Sequence, residues 1–339
     1  MKKISVGIDF AKEKFDVTLI NVEDGTSEYS QFTNDRAGAR GLLRLVKRFA
    51  KGTDSEEWIF CGEHTGCYSL TLAKFLAQKG MFLWMENPYV IGKCGGLKRG
   101  KDDKADSRMI AEYALRFADR ARRYVVPPKS IEKMKTLLAA RDLYVRQRKA
   151  AANFISEIPS GEREHSLVKS FKQTVEFLDK QIKEMEKEIN AAVAEDESVM
   201  ENYKILTSFP GVGMVNAVAM ITFTQNFSKF DYNPRQIATF WGVSPFSKQS
   251  GSSVYRAPHV SGFCNHWLKA LLSNAANVAI VYCPYIRAYY QRLKEKGKCE
   301  GVARNNVKNK LLHILTAMVK NKTMYNPDMN LCCHEFSTC

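Results

Sequence analysis

Apolar and polar positions alternate over residues 3–10 (KISVGIDF) and again over 14–21 (KFDVTLIN) after a tight turn, a pattern that predicts a β-hairpin. A third short strand is predicted near 28–32, followed by an apolar-periodic helix over about 37–50. Residues 57–61 (EWIFC) form a further apolar strand with Gly62-Glu63 at its end. A helix through 67–79 carries Leu70, Leu72, Phe75 and Leu76 on one side, and 81–86 gives one more strand. The order of three strands, helix, strand, helix, strand, helix predicts a mixed sheet flanked by helices.

Residues 101–120 read as that last helix, with Met109, Ile110, Ala114, Leu115 and Phe117 in helical spacing, and Pro127-Pro128 breaks the chain after it. The stretch 131–198 is almost wholly helical in composition. Leu167, Phe171, Leu178, Ile182, Met185 and Ile189 recur mostly at threes and fours among Lys, Glu and Gln, the pattern of a coiled-coil seam or a helical hairpin. Pro159, Ser160 and Gly161 supply a turn between two arms. From 201 the composition changes to Gly-rich turns, aromatics and basic residues around apolar helices at 213–223, 234–241, 264–282 and 307–319. The fold class is therefore α/β plus α, with boundaries at 1–125 (mixed sheet), 126–200 (helical coiled-coil linker), 201–325 (mostly helical) and 326–339 (tail).

Charge sharpens the picture. The chain of 339 residues carries 51 Lys and Arg against 36 Asp and Glu, a formal net charge of +15. Residues 201–339 hold 16 basic and 6 acidic side chains, and residues 90–130 hold 11 and 5. Such an excess on a folded chain favours a polyanionic partner, nucleic acid first, against the plainer reading of a solvated basic face. No apolar run approaches the ~18 residues of a membrane span, and Lys12, Glu13, Lys14 and Asp16 interrupt any signal-like segment. The expected location is the cytoplasm. Nine cysteines show no Cys-x-x-Cys spacing. The cluster Cys332, Cys333, His334 and Cys339 matches no zinc-finger spacing and is read as a reduced tail.

The candidate chemistry begins with carboxylates. Asp9 ends the first strand and Glu63 the fourth, while Asp103 and Asp106 are three apart and share a helix face. Convergent hard oxygen donors suit Mg²⁺, and paired ions can activate a nucleophile and stabilise the leaving oxygen in phosphoryl transfer. A second candidate is Pro210-Gly211-Val212-Gly213 before an apolar helix. It reads either as a plain turn or as a helix-hairpin-helix turn whose exposed N–H groups meet a phosphate. A third is the polar loop from Phe240 to Arg256, where Ser244, Ser247, Ser250, Ser252 and Ser253 crowd Lys248 and Arg256. Lys101, Gly211, Gly213, Lys248 and Arg256 are candidate nucleic-acid contacts.

Three segments, GIDFAKEKFDV, CGEHTGCY and KRGKDDKADSRMIAEYAL, resemble the acidic motifs of the DEDD transposases of the insertion-sequence one-ten family, which includes the pilin-gene invertases. The amino-terminal domain of that family is similar to the RuvC resolvase, an RNase H-like fold. The resemblance implies Asp9, Glu63, Asp103 and Asp106 as catalytic Mg²⁺ ligands. Asp102 competes with Asp103, although the family's spacing of three favours Asp103. The segment Gly242 to Pro245, followed by Gln249-Ser250-Gly251, resembles the family's carboxy-terminal motif and implies Ser250 as a DNA-strand nucleophile. Ser261-Gly262-Phe263-Cys264-Asn265 stands where the family shows a more basic segment, so phosphate contacts there are less well supported.

What the resemblance implies is a transposase or site-specific recombinase that cuts and rejoins DNA, guided by a structured RNA of its own element and assembled as a homodimer or homotetramer. Two alternatives stand beside it. One is a RuvC-like Mg²⁺-dependent resolvase or nuclease that uses water, from which Ser250 separates it. The other is a nucleic-acid-binding protein with a dead acidic site, against which the intact carboxylates argue. Self-association is expected through the seam Leu178, Ile182, Met185 and Ile189.

Overall fold

The computed structural model describes residues 2–64, 66–94, 102–159, 161, 164–250 and 254–327, with the backbone alone for 248–250 and 254–257. The chain divides into two compact units at the Val126–Pro127 junction.

The first unit is built on five strands, β1 (Ile4–Phe10), β2 (Lys14–Asn21), β3 (Ser27–Thr33), β4 (Trp58–Glu63) and β5 (Leu83–Glu86), in the order β3-β2-β1-β4-β5. The meander β1-β2-β3 is antiparallel, whereas β4 and β5 run parallel to β1 and follow helical crossovers. Four helices, α1 (Arg36–Phe49), α2 (Leu70–Gln78), α3 (Pro88–Cys94) and α4 (Asp103–Arg116), cover the sheet. The mixed sheet expected from the alternation is present, with α3 as an additional short helix.

Period-two alternation sorts the sheet into two faces. Ile4, Val6, Ile8, Phe15, Val17, Leu19 and Phe60 pack with Leu42 and Val46 of α1 and Leu72 and Leu76 of α2. The intervening residues Ile59, Cys61 and Trp84 meet Ile91 of α3 and Ile110, Tyr113 and Ala114 of α4. On β1 this second face consists of Ser5 and Gly7, and that choice sets how closely α4 approaches. Ser5 Oγ donates to the Ala111 carbonyl at 2.8 Å, and Thr18 Oγ1 meets Ser107 Oγ at 2.8 Å. A Cβ on Gly7 would stand 2.2 Å from both the Ala111 nitrogen and the Ser107 carbonyl oxygen. Backbone cannot yield as a flexible side chain does. Gly7→Ala is therefore expected to destabilise the protein by ~2–3 kcal/mol, at the upper end for overpacking, read as a lower urea midpoint. An unchanged midpoint would mean α4 is less firmly seated than this contact requires.

The second unit opens with α5 (Lys129–Glu157) and α6 (His165–Ala194), two long antiparallel helices. The pairs Lys133–Glu195, Arg141–Glu186 and Arg148–Asp179 cross between them, and Phe154 stacks on Phe171. The predicted arms thus form a hairpin. Leu178 and Ile182 are buried and Ile189 is fully so within a single chain, so the seam expected to drive self-association is closed internally. The base of this hairpin (Ile131, Met134, Leu138, Ile189, Val193) shares one core with the following helices. Those are α7 (Glu197–Thr207), α8 (Met214–Phe223), α9 (Pro234–Phe240), α10 (His266–Tyr282), α11 (Pro284–Glu295) and α12 (Glu300–Asn321). Between α9 and α10 the polar loop of the sequence reading is largely a two-stranded ribbon, β6 (Pro245–Ser250) and β7 (Val254–Val260). Its β-branched and aromatic residues, Val254, Tyr255 and Val260, carry strand propensity that the crowd of serines obscures.

Candidate active site

The carboxylates gather at one end of the sheet, on the face covered by α4. Ile8 and Gly62 are partners across the parallel pair β1–β4, so Asp9 and Glu63 are the next positions on neighbouring strands. Asp9 shares its face with Ser5 and Gly7, and Glu63 shares its face with Ile59 and Cys61, all of which pack towards α4. Moving back along α4 from Ala111 through Ser107 follows β1 from Ser5 towards Asp9, which brings the first turn of α4 over the same strand ends. Asp103 and Asp106 lie on that turn.

Asp102 has a structural role of its own. Asp102 is the N-cap of α4, in extended conformation, and its carboxylate accepts from the Lys104 amide at 3.2 Å. Its side chain is committed to the helix end. Asp103 and Asp106 are the pair on the turn itself, three residues apart.

Two further carboxylates belong to this row, and the sequence reading did not single them out. Asp16 of β2 is the cross-strand partner of Asp9, and Glu86 of β5 is the partner of Glu63. Asp16 is only 2% exposed and accepts hydrogen bonds from Tyr29 Oη and Gln31 Nε2. Lys14 Nζ stands 3.5 Å from Asp16 Oδ2 and 3.0 Å from Asp103 Oδ2, tying β2 to the acidic turn. Glu86 accepts from Tyr113 Oη at 3.2 Å. The register of the predicted β1–β2 hairpin is the signal that could have found Asp16, because the tight turn sets it opposite Asp9.

This end of the sheet is electrostatically negative, and its neighbours register the field. Burial, with the charges of Glu86 and Glu63 behind it, pushes the Cys61 thiol well above its ordinary range. Burial and Glu86 do the same to the Tyr113 hydroxyl. The hydrogen bond to Asp16, with partial burial, pushes Tyr29 up to about 12. A tyrosine whose pKa is higher folded than unfolded contributes stability that is complete below the unfolded value near 10. That contribution is lost as pH rises through about 12. In the Asp16→Asn protein the Tyr29 titration, followed by phenolate absorbance, is expected to move back towards 10. An unmoved titration would show that Asp16 is not its hydrogen-bond partner.

Donor chemistry fits a hard divalent cation: carboxylate oxygens only, from two strand ends and one helix turn. The side chains are gathered but not closed. Among the described residues no three His, Cys, Asp or Glu side chains stand close enough to hold a metal ion. Like charges at a shared strand end repel one another, and Asp103 is drawn to the Lys14 ammonium.

In the second unit, Ser250 is the last residue of β6 and pairs with Val254, which sets it at the tip of the ribbon. A register shift between Phe246 and Lys248 bends the strand before it. Lys101, Gly251, Ser252 and Ser253 lie outside the described residues, as does the Cys332–Cys339 cluster, and the side chains of Lys248, Ser250 and Arg256 are not described. The turn before α8 joins α7 to α8, as either reading of the Gly-x-Gly segment expects. Gly211 has φ +94°, and a Cβ there would stand 2.5 Å from the Ala275 carbonyl oxygen of α10, so its smallness serves packing. Gly213 is the extended N-cap of α8 and leaves that helix without a side-chain cap.

Comparison with known proteins points the same way. Residues 6–158 match the DEDD family of IS110 elements, described as a transposase, and residues 203–291 match the transposase family of IS116, IS110 and IS902. An insertion element IS110 uncharacterized 43.6 kDa protein of Streptomyces coelicolor is 28% identical over 125 residues, covering 37% of this chain and 30% of that protein. The first match covers β1 from Val6 onward and β2 to β5 together with α4, and the second contains the β6–β7 ribbon. With both halves matched in order, this chain belongs to the IS110 family of transposases.

Proposed function

We propose that the protein is a DNA transposase or site-specific recombinase whose first unit holds a scissile phosphodiester through divalent cations bound by Asp9, Glu63, Asp103 and Asp106. The observation that carries this reading is the placement of Asp9 and Glu63 at adjacent strand ends beneath the acidic first turn of α4. Mg²⁺ is the proposed ion; when bound it would supply Lewis-acid stabilisation of the phosphoryl and leaving oxygens. The chain's own residues set the rest. The α4 cap at Asp102 holds the helix turn, Lys14 and Asp16 fix β2 against it, and Gly7 admits α4 close to the sheet.

Ser250 is the proposed nucleophile. Its Oγ–P bond forms as the bond from phosphorus to the leaving deoxyribose oxygen breaks; the serine proton is lost and the leaving oxygen takes one up. The phosphoserine ester then conserves the bond for rejoining. A structured RNA of the element and a homodimeric or homotetrameric assembly complete the proposal, on the strength of the family resemblance. The test is cleavage of a duplex carrying the element's ends, in Mg²⁺, by wild type and by Glu63→Gln. Cleavage by the wild type and none by the variant is expected. Equal cleavage by both would remove the acidic face from the chemistry.

A further inference from the structure

The opposite face of the same sheet carries a basic groove to which no role has been given. Helix α1 presents Arg36, Arg40, Arg44 and Lys47 at intervals of four, four and three, a single stripe along its outer side. All are exposed, while Leu42, Leu43 and Val46 of the same helix face the core. With Gln78 and Lys79 at the end of α2 they line a groove of about 650 Å³. Among the described residues no carboxylate pairs with Arg36, Arg40, Arg44, Lys47 or Lys79; the neighbouring Glu28 is taken by Arg48. Five unneutralised cations in one groove repel one another, and an arrangement of this kind is stabilised by a polyanion.

We infer that the α1–α2 groove binds the phosphate backbone of duplex DNA, on a segment distinct from the one undergoing cleavage. The inference rests on the transposase reading for the identity of its partner, but not on the acidic face. At 1.5 Å per residue the stripe from Arg36 to Lys47 is ~16 Å long, and one strand of B-DNA passes a phosphate every ~3.4 Å of its axis. The stripe lies on one regular helix, which holds its cations at fixed spacing. Single strands are bound by exposed aromatic platforms, and the groove lining has none: its one aromatic residue, Phe75, packs against the core. Because α1 and α2 cover the sheet face away from α4, DNA held here lies on the other side of the sheet from Asp9 and Glu63. The groove therefore serves flanking DNA and adds affinity without base readout.

The experiment is the salt dependence of binding to a non-specific duplex by the full chain and by an Arg40→Gln, Arg44→Gln, Lys47→Gln triple variant. Three lost phosphate contacts should flatten the slope of log K against log salt by about 2.7. The companion Arg40→Lys, Arg44→Lys variant keeps the charge and should keep the wild-type slope, which separates charge loss from damage to α1. A wild-type slope in the triple variant overturns the inference. A flattening seen with a structured RNA but not with DNA also overturns it. Cleavage by Glu63→Gln is indifferent to either result, so this inference and the transposase reading fail separately.

Discussion

Asp106→Asn is expected to reduce DNA strand cleavage by ~10²–10³-fold while leaving the fold and its thermal transition in place. Asparagine keeps the shape of the side chain and removes its charge, and a single preorganised electrostatic contact at a reacting centre is worth up to about that factor. Asp106 sits one turn into α4, with its backbone amide bonded to the Asp102 carbonyl, so the helix geometry does not depend on its carboxylate. The informative contrast is Asp102→Asn. Asparagine caps a helix as well as aspartate does, and the Asp102 carboxylate is occupied with the Lys104 amide. That variant should cleave at close to the wild-type rate. Loss of cleavage in Asp102→Asn together with full activity in Asp103→Asn would shift the ligand by one residue and leave the capping geometry unexplained.

Ser250→Ala is expected to abolish both cleavage and the covalent protein–DNA species, visible in wild type as a labelled DNA end that migrates with protein on a denaturing gel. Removing one hydroxyl leaves the cationic phosphate contacts that supply most of the affinity in place, so DNA binding should persist. The chemical warrant is that hydrolysis at a carboxylate-bound metal needs no serine, whereas an ester held for rejoining does. In the backbone Ser250 is the last residue of β6, paired with Val254 of β7. Wild-type recombination by the alanine variant would return the reaction to water. A covalent species mapped to Ser247 would keep the chemistry and move the residue.

Much of the first unit was legible from alternation alone. KISVGIDF and KFDVTLIN became β1 and β2 within a residue, because a half-buried strand writes its two faces directly into sequence. The strand-end placement of Asp9 and Glu63 was legible as well, since both interrupt apolar runs. Asp16 was not. A carboxylate in an alternating strand reads as a solvent-facing position, and only the register with Asp9 and the hydrogen bonds from Tyr29 and Gln31 show it to be buried. The basic stripe on α1 escaped for a different reason. Residues 36–50 hold five basic side chains on a helix expected to be amphipathic, and periodicity cannot distinguish a solvated face from a groove until α2 closes its side. The ribbon after α9 was hidden by its serines, and the hairpin of α5 and α6 could be read equally as an arm between chains, because an apolar seam does not name its partner.

The central claim is that Asp9, Glu63, Asp103 and Asp106 act as one cation site. Mn²⁺ replaces Mg²⁺ in all-oxygen sites and is visible by electron paramagnetic resonance. Titrating Mn²⁺ into wild type, Asp9→Asn, Asp106→Asn and Asp102→Asn, each with duplex DNA bound, tests the set directly. Bound Mn²⁺ in wild type and Asp102→Asn, with its loss in Asp9→Asn and Asp106→Asn, is the predicted result. Equal Mn²⁺ binding by wild type and Asp9→Asn would contradict it.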